Sequence, residues 1–122
     1  MTKILVVDDE QAICELLFEF LTMKGYEAIT ATSGEEAIAK VKAERPQLVI
    51  LDIKMPGMDG LEVLREVKVF DPKIAVIMAT AMIDEEVGQE ALRRGADDYI
   101  TKPLNFNYLE LSLLVKIAML ES

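Results

Sequence analysis

Leu48-Val49-Ile50-Leu51 is an apolar run with nothing polar interposed, and it stops at Asp52. Four residues are too few for a helix. The lack of alternation means that both faces of the segment must meet apolar neighbours. Such a strand belongs inside a sheet covered on both sides. Ile4–Val7 is a second run of this kind, ending in Asp8-Asp9-Glu10, and Ile74–Ala79 is a third, ending at Thr80.

The segments between these runs carry helical spacing. Ile13, Leu16, Leu17, Phe20 and Leu21 define a first helix that Gly25 ends. Tyr26–Ala31 is only loosely apolar, with Glu27 and Thr30 interposed, which suits an edge strand. Ser33 and Glu36 form a capping box, and Ala37, Ile38 and Val41 give the helix after it an apolar side that lasts until Pro46. The chain turns sharply through Pro56, Gly57 and Gly60. Asp59 and Glu62 then open a helix carrying Leu61, Leu64 and Val67, which Asp71-Pro72 breaks.

A fourth helix is predicted from about Asp84 to Arg94 and stops at Gly95. Its interior Gly88 costs on the order of 1 kcal/mol relative to Ala, so it is expected to be the least firmly held. Asp98–Ile100 is a short fifth strand, ending in Thr101-Lys102-Pro103, and a last helix runs from about Asn105 to the C-terminus. Five strand–helix alternations with short connections call for an α/β fold, a parallel sheet with helices on both faces.

Composition narrows the function classes. The 122 residues suit one domain, 1–122, and 52% apolar content argues against disorder. A net charge of −9 disfavours direct binding to nucleic acid or to an anionic membrane. With a single cysteine, Cys14, no intrachain disulfide can form, which suits a reducing compartment. Without histidine, neither His-based acid–base catalysis nor a His-ligated metal is open to the chain. No signal-peptide pattern follows Met1, and no apolar stretch nears the roughly 18 residues of a membrane span. The expected location is cytoplasmic.

The strand ends carry the chemistry. In a parallel sheet Asp8, Asp9, Asp52, Thr80 and Lys102 gather at one edge, where ligands bind in open α/β sheets. Each has a plainer explanation taken alone: a helix cap for Asp8 or Asp9, a strand end for Thr80, a solvated cation for Lys102. Together they fit a phosphoryl site. Three close carboxylates repel one another unless a cation sits among them. An all-oxygen donor set suits a hard cation such as Mg²⁺. A carboxylate can accept a phosphoryl group, with a hydroxyl and an ammonium to bind its oxygens.

These motifs, Val7-Asp8-Asp9-Glu10, Leu51 to Gly60, Ala79-Thr80-Ala81, Gly95 to Tyr99 and Thr101-Lys102-Pro103, are those of a known family. Across nearly its whole length the chain resembles the receiver domain of bacterial two-component response regulators, similar to chemotaxis- and sporulation-type single-domain regulators. The resemblance implies a (βα)5 flavodoxin-like three-layer sandwich with a five-stranded parallel sheet ordered 2-1-3-4-5. It implies Asp52 as the phosphoacceptor, and Mg²⁺ held by Asp9, Asp52 and the backbone carbonyl of Lys54, with Asp8 acting mainly through water. Lys102 would pair with the phosphoryl group, and Thr80 would swing toward it. Tyr99 would change rotamer with Thr80, the small Ala81 leaving room. A cis peptide is expected before Pro103.

Such a domain is a phosphoacceptor and not an enzyme in its own right, although it promotes its own phosphorylation and slow dephosphorylation. The family tunes that lifetime two residues beyond Asp52 and Thr80. Here Lys54 and Met82 stand there, and neither orients an attacking water, so a lifetime of minutes or longer is expected. Met82-Ile83 is also unusually apolar for a loop and is a candidate contact surface.

By the same resemblance, Ile13 and Cys14 on the first helix and Pro103-Leu104 beside Lys102 are expected to touch a sensor histidine kinase or histidine phosphotransfer protein. Core packing is the alternative for Ile13. The last helix has two apolar stripes. Phe106, Leu109, Leu113, Ile117 and Leu120 form one; Tyr108, Leu111, Val115, Ala118 and Met119 form the other. Glu110 and Glu121 divide them on one side, Ser112 and Lys116 on the other. One stripe serves the core. The second needs the neighbouring helix, a second copy of the chain, or an effector protein docking on the face of the fourth helix, fifth strand and fifth helix. Leu111 and Val115 are its test positions. No effector domain is recognisable, so the chain is expected either to act through protein contacts or to be a receiver cut from a longer protein.

Two other classes remain. A metal-dependent phosphohydrolase would want a second Asp two residues after its nucleophile, where Lys54 stands. A flavodoxin-like nucleotide or flavin binder would want a Gly- or Ser/Thr-rich loop after the first strand, where three acids stand.

Overall fold

The computed structural model describes residues 1–81 and 85–121. Met82, Ile83, Asp84 and Ser122 lie outside them, and with them the expectations for the Met82-Ile83 surface, for Met82 beside the phosphoryl site, and for the first residue of the fourth helix.

The five apolar segments become β1 (Lys3–Val7), β2 (Glu27–Ala31), β3 (Leu48–Leu51), β4 (Ala75–Thr80) and β5 (Asp98–Thr101). They pair in parallel in the order β2-β1-β3-β4-β5. The uniformly apolar segments take the three central places. β2, with its interposed polar residues, lies at one edge, as its pattern indicates, and β5 lies at the other. Following the strands are α1 (Gln11–Met23), α2 (Gly34–Glu44), α3 (Gly60–Phe70), α4 (Glu85–Arg93) and α5 (Phe106–Glu121).

Successive strand residues point to opposite faces, so the sheet divides the interior into two layers. Leu5, Val7, Val49, Leu51, Val76 and Met78 pack against residues of α2, α3 and α4, among them Val41, Val63, Leu64, Val67 and Ala91. Ile4, Val6, Ile50, Ile77 and Ile100 pack against Cys14, Leu17 and Leu21 of α1 and Leu109 and Leu113 of α5. This is the expected three-layer sandwich.

Helix starts follow the sequence at α2 and α3, and also at α5, where Asn105 Oδ1 accepts from the Tyr108 N–H (3.0 Å). Ser33 Oγ accepts from the Glu36 N–H (3.2 Å), and Asp59 Oδ1 accepts from the Glu62 N–H (3.0 Å). Glu36 reaches back one residue further than a standard box, accepting from the Thr32 N–H at 2.8 Å. The cap reading of Asp8 and Asp9 does not hold. The α1 N-cap is Glu10, whose side chain makes no capping bond.

The last helix has the two stripes expected of it, with two corrections, the first being that Leu120 of the core-facing stripe is exposed. Leu109 and Leu113 are buried, and Phe106 and Ile117 pack beside them. Ser112, expected to divide the stripes at the surface, is buried, because its hydroxyl donates to Asp98 Oδ2 at 2.7 Å. Among the described residues no helix is long and apolar enough to cross a membrane.

Candidate phosphoacceptor site

Asp8, Asp52 and Lys102 each stand one step beyond a strand, and the sheet ladder extends to hold their backbones. The Asp8 N–H donates to the Ala31 carbonyl (3.1 Å), the Asp52 N–H to Val7 (3.0 Å), and the Lys102 N–H to Thr80 (2.9 Å). The side chains therefore converge at the carboxyl ends of the strands. A carboxylate oxygen from each of Asp8, Asp9 and Asp52 can be chosen so that all three lie within 4.8 Å of one another. Asp8 and Asp52 are buried, and Asp9 is exposed.

Lys102 reaches into this cluster. Its Nζ donates to Asp8 Oδ2 and, at 3.3 Å, to Asp52 Oδ2. Asp52 Oδ1 also accepts from the Lys54 N–H at 3.3 Å, and Asp8 Oδ1 from the Glu10 N–H at 2.9 Å. Burial raises the pKa of Asp8. The hydrogen bonds from Lys102 and Glu10 pull it back, and the charge of Asp52 adds to the rise. Burial works against the charge of Lys102, but the hydrogen bond to Asp8 and the charges of Asp52 and Asp8 outweigh it, and its pKa is raised.

A cleft of about 600 Å³ opens above these groups, lined by Asp9, Asp52, Lys54, Met55, Thr80 and Lys102 among others. Thr80 is buried at its floor, and the peptide before Pro103 is cis, as expected. The donor set is carboxylate oxygen alone. The one thiol nearby, Cys14, is turned away and donates to the backbone carbonyls of Asp8 (3.2 Å) and Ala31 (3.7 Å). Such a set fits a hard divalent cation with open water positions, Mg²⁺ foremost, and suits no soft metal.

Gly60 was expected only as a turn residue. It is the first residue of α3, and its N–H donates to the Ile53 carbonyl at 2.7 Å. A Cβ there would lie 2.1 Å from the Asp52 carbonyl oxygen and 2.5 Å from Ile53 Cα. Only a residue without a side chain lets α3 start against the backbone of Asp52. The Asp52–Gly60 spacing was visible in the sequence, but nothing in it signalled the contact.

The partner positions divide. Cys14 is fully buried, and burial raises its thiol pKa, so it has no surface to offer a partner; this corrects the expectation. Ile13 and Leu104 are partly buried against the α1–α5 layer, the packing alternative for Ile13, while Pro103 is exposed. Tyr99 is partly buried against the α4 side, and Ala81 is exposed. Leu111 (58% exposed) and Val115 (45%) lie open on α5, near Met119 (66%).

A parallel 2-1-3-4-5 sheet with three carboxylates, a buried threonine and a lysine at its carboxyl edge defines an α/β phosphoacceptor. The family follows from comparison with known proteins. The chain matches the response regulator receiver domain over residues 4–113 and belongs to that family. It is 43% identical over 105 residues to sporulation initiation phosphotransferase F of Bacillus subtilis (strain 168), covering 86% of this chain and 85% of that protein. It is 42% identical over 120 residues to the alkaline phosphatase synthesis transcriptional regulatory protein PhoP of the same strain, covering 98% and 49%.

Among solved structures it is similar to a CheY-like response regulator receiver domain protein from Methanospirillum hungatei JF-1. The TM-score is 0.96 at 35% identity, covering 99% of this chain and 97% of that one. The chain spans only about a quarter to a half of the curated transcriptional regulators it matches. As a receiver domain it is a phosphoacceptor signalling switch of two-component systems.

Proposed function

We propose that Asp52 accepts a phosphoryl group from a phosphohistidine of a sensor kinase or phosphotransfer protein, and that this changes what the surface of α4, β5 and α5 binds. The convergence of Asp8, Asp9 and Asp52 within 4.8 Å, with Lys102 Nζ among them, carries the reading.

In this reading an Asp52 carboxylate oxygen attacks phosphorus as the N–P bond to the donor imidazole breaks, and the imidazole leaves with the electron pair. Asp9, Asp52 and the Lys54 carbonyl would hold Mg²⁺, with Asp8 acting mainly through water. When bound, the ion offsets the negative charge that spreads over the transferred oxygens. Lys102 leaves Asp8 to pair with a phosphoryl oxygen, and the Thr80 hydroxyl donates to another. Tyr99 follows Thr80. Lys54 offers no carboxylate or amide to orient a water, so the adduct decays over minutes or longer.

The exposed Leu111, Val115 and Met119 support an apolar output face that pairs with a second copy of the chain or with an effector protein. Incubation with acetyl phosphate and Mg²⁺, read by intact mass, tests the chemistry. A single adduct that Asp52→Asn abolishes is expected. Labelling that survives Asp52→Asn overturns the assignment, and turnover of unrelated phosphate esters would favour a hydrolase.

A further inference from the structure

α4 carries a glycine in its interior, where helix propensity disfavours one. Gly88 is buried, and its bare Cα faces β5. A Cβ built there meets three atoms before any others: Tyr99 Cε2 at 3.4 Å, Cζ at 3.4 Å and Cε1 at 3.5 Å. Near-equal distances to both ring edges and to the tip mean that the outer half of the ring lies squarely over the missing side chain. Ala91, one turn on, is buried in the cluster that Tyr99 packs against. Tyr99 itself is fixed from the strand side. It pairs with Met78 in the β4–β5 register, and its N–H donates to Asp98 Oδ1 at 2.8 Å.

We propose that residue 88 is a positioning residue for Tyr99. The size of its side chain sets whether the ring can lie against α4, and through the ring it sets the strength of the response at Asp52. The proposal rests on the reading of Tyr99 as the ring that follows Thr80. A single methyl at 88 would sit in ordinary van der Waals contact with the ring and hold it where it is. A β-branched side chain would extend a further bond length into the ring and displace it. Gly88→Ala and Gly88→Val therefore push the coupled equilibrium in opposite directions. General loss of stability would move both the same way.

Two measurements test this. In NMR spectra the Gly88 Hα signals, under the ring, are expected upfield, and Tyr99→Leu should remove that shift. The methyl introduced by Gly88→Ala should show strong ring contacts, and Gly88→Val should lose the Tyr99 contacts to α4. Retention of those contacts in Gly88→Val overturns the proposal. Titration with beryllium fluoride and Mg²⁺, a phosphoryl stand-in at Asp52, then reads the coupling. The two variants should shift the midpoint in opposite senses, differing by about fivefold or more, the low end of coupling between linked sites. Equal midpoints, or shifts in one sense, overturn the link between residue 88 and the response. Failure of the parent chain to bind the probe would instead overturn the phosphoacceptor reading, and the ring contacts would still decide the position of Tyr99.

Discussion

Gly60→Ala should disable phosphorylation while leaving every carboxylate of the site in the sequence. Its Cβ would lie 2.1 Å from the Asp52 carbonyl oxygen and 2.5 Å from Ile53 Cα, both backbone atoms that cannot rotate away. Carbon and carbonyl oxygen normally approach no closer than about 3.3 Å, so α3 and the β3 end must part by roughly 1 Å. Displacement of that size at a reacting group costs on the order of 10²-fold in rate. Overpacking typically destabilises by about 1–3 kcal/mol, which a domain of ordinary stability survives folded. The expected result is a folded protein, by circular dichroism and urea unfolding, whose labelling by acetyl phosphate is slowed about a hundredfold. Labelling at the parent rate would refute the idea that this close approach holds Asp52 in place.

Three further outcomes follow from the fold. Ser112→Ala removes a buried donor to the Asp98 carboxylate (2.7 Å) and should cost about 1.5–3 kcal/mol in urea unfolding; an unchanged midpoint would mean that the bond contributes nothing. Leu111→Glu with Val115→Glu should abolish binding of the phosphorylated protein to a second copy or an effector, read by sedimentation, with stability within about 0.5 kcal/mol of the parent, since both side chains are exposed. The pKa of Glu36 is lowered, first by the Thr32 N–H and then, against the opposing burial, by Lys40. With the folded value below the ordinary 4.5, its contribution is present above that pH and is lost as pH falls through the lowered folded value. Glu36→Gln should flatten the acid limb of stability against pH, and an unaltered limb would contradict this.

Much of the fold was legible because burial on both faces leaves a simple trace. Leu48–Leu51 and Ile4–Val7 have no polar alternation, and they occupy the middle of the sheet. The mixed pattern of Glu27–Ala31 marks an edge. The order of the strands came from family resemblance, since periodicity does not encode which strands are neighbours. The residues that misled are those whose partners lie far along the chain. Ser112 has the polarity of a surface divider, but it is buried because Asp98, 14 residues earlier, accepts its proton. Cys14 sits at the right place on α1 for a partner, yet its thiol serves the carbonyls of Asp8 and Ala31. Gly60 and Gly88 read as a turn and a weak spot. Their meaning lies in what approaches them, the Asp52 backbone and the Tyr99 ring.

The site also shows how a fold holds like charges close together. Asp8 and Asp52 are buried side by side, and Coulomb repulsion at such range is costly even at moderate dielectric. Lys102 offsets part of it, but Lys102 is itself held from a third strand. What fixes all three is backbone: each N–H donates to the last carbonyl of the neighbouring strand, at 3.1, 3.0 and 2.9 Å. Separating the carboxylates would mean breaking the sheet ladder between strands buried on both faces, where an unpaired backbone group is expensive. The central strands therefore hold the three carboxylates close together at one edge of the sheet. The uniformly apolar runs that define the fold in the sequence are also what makes the acidic cluster sustainable.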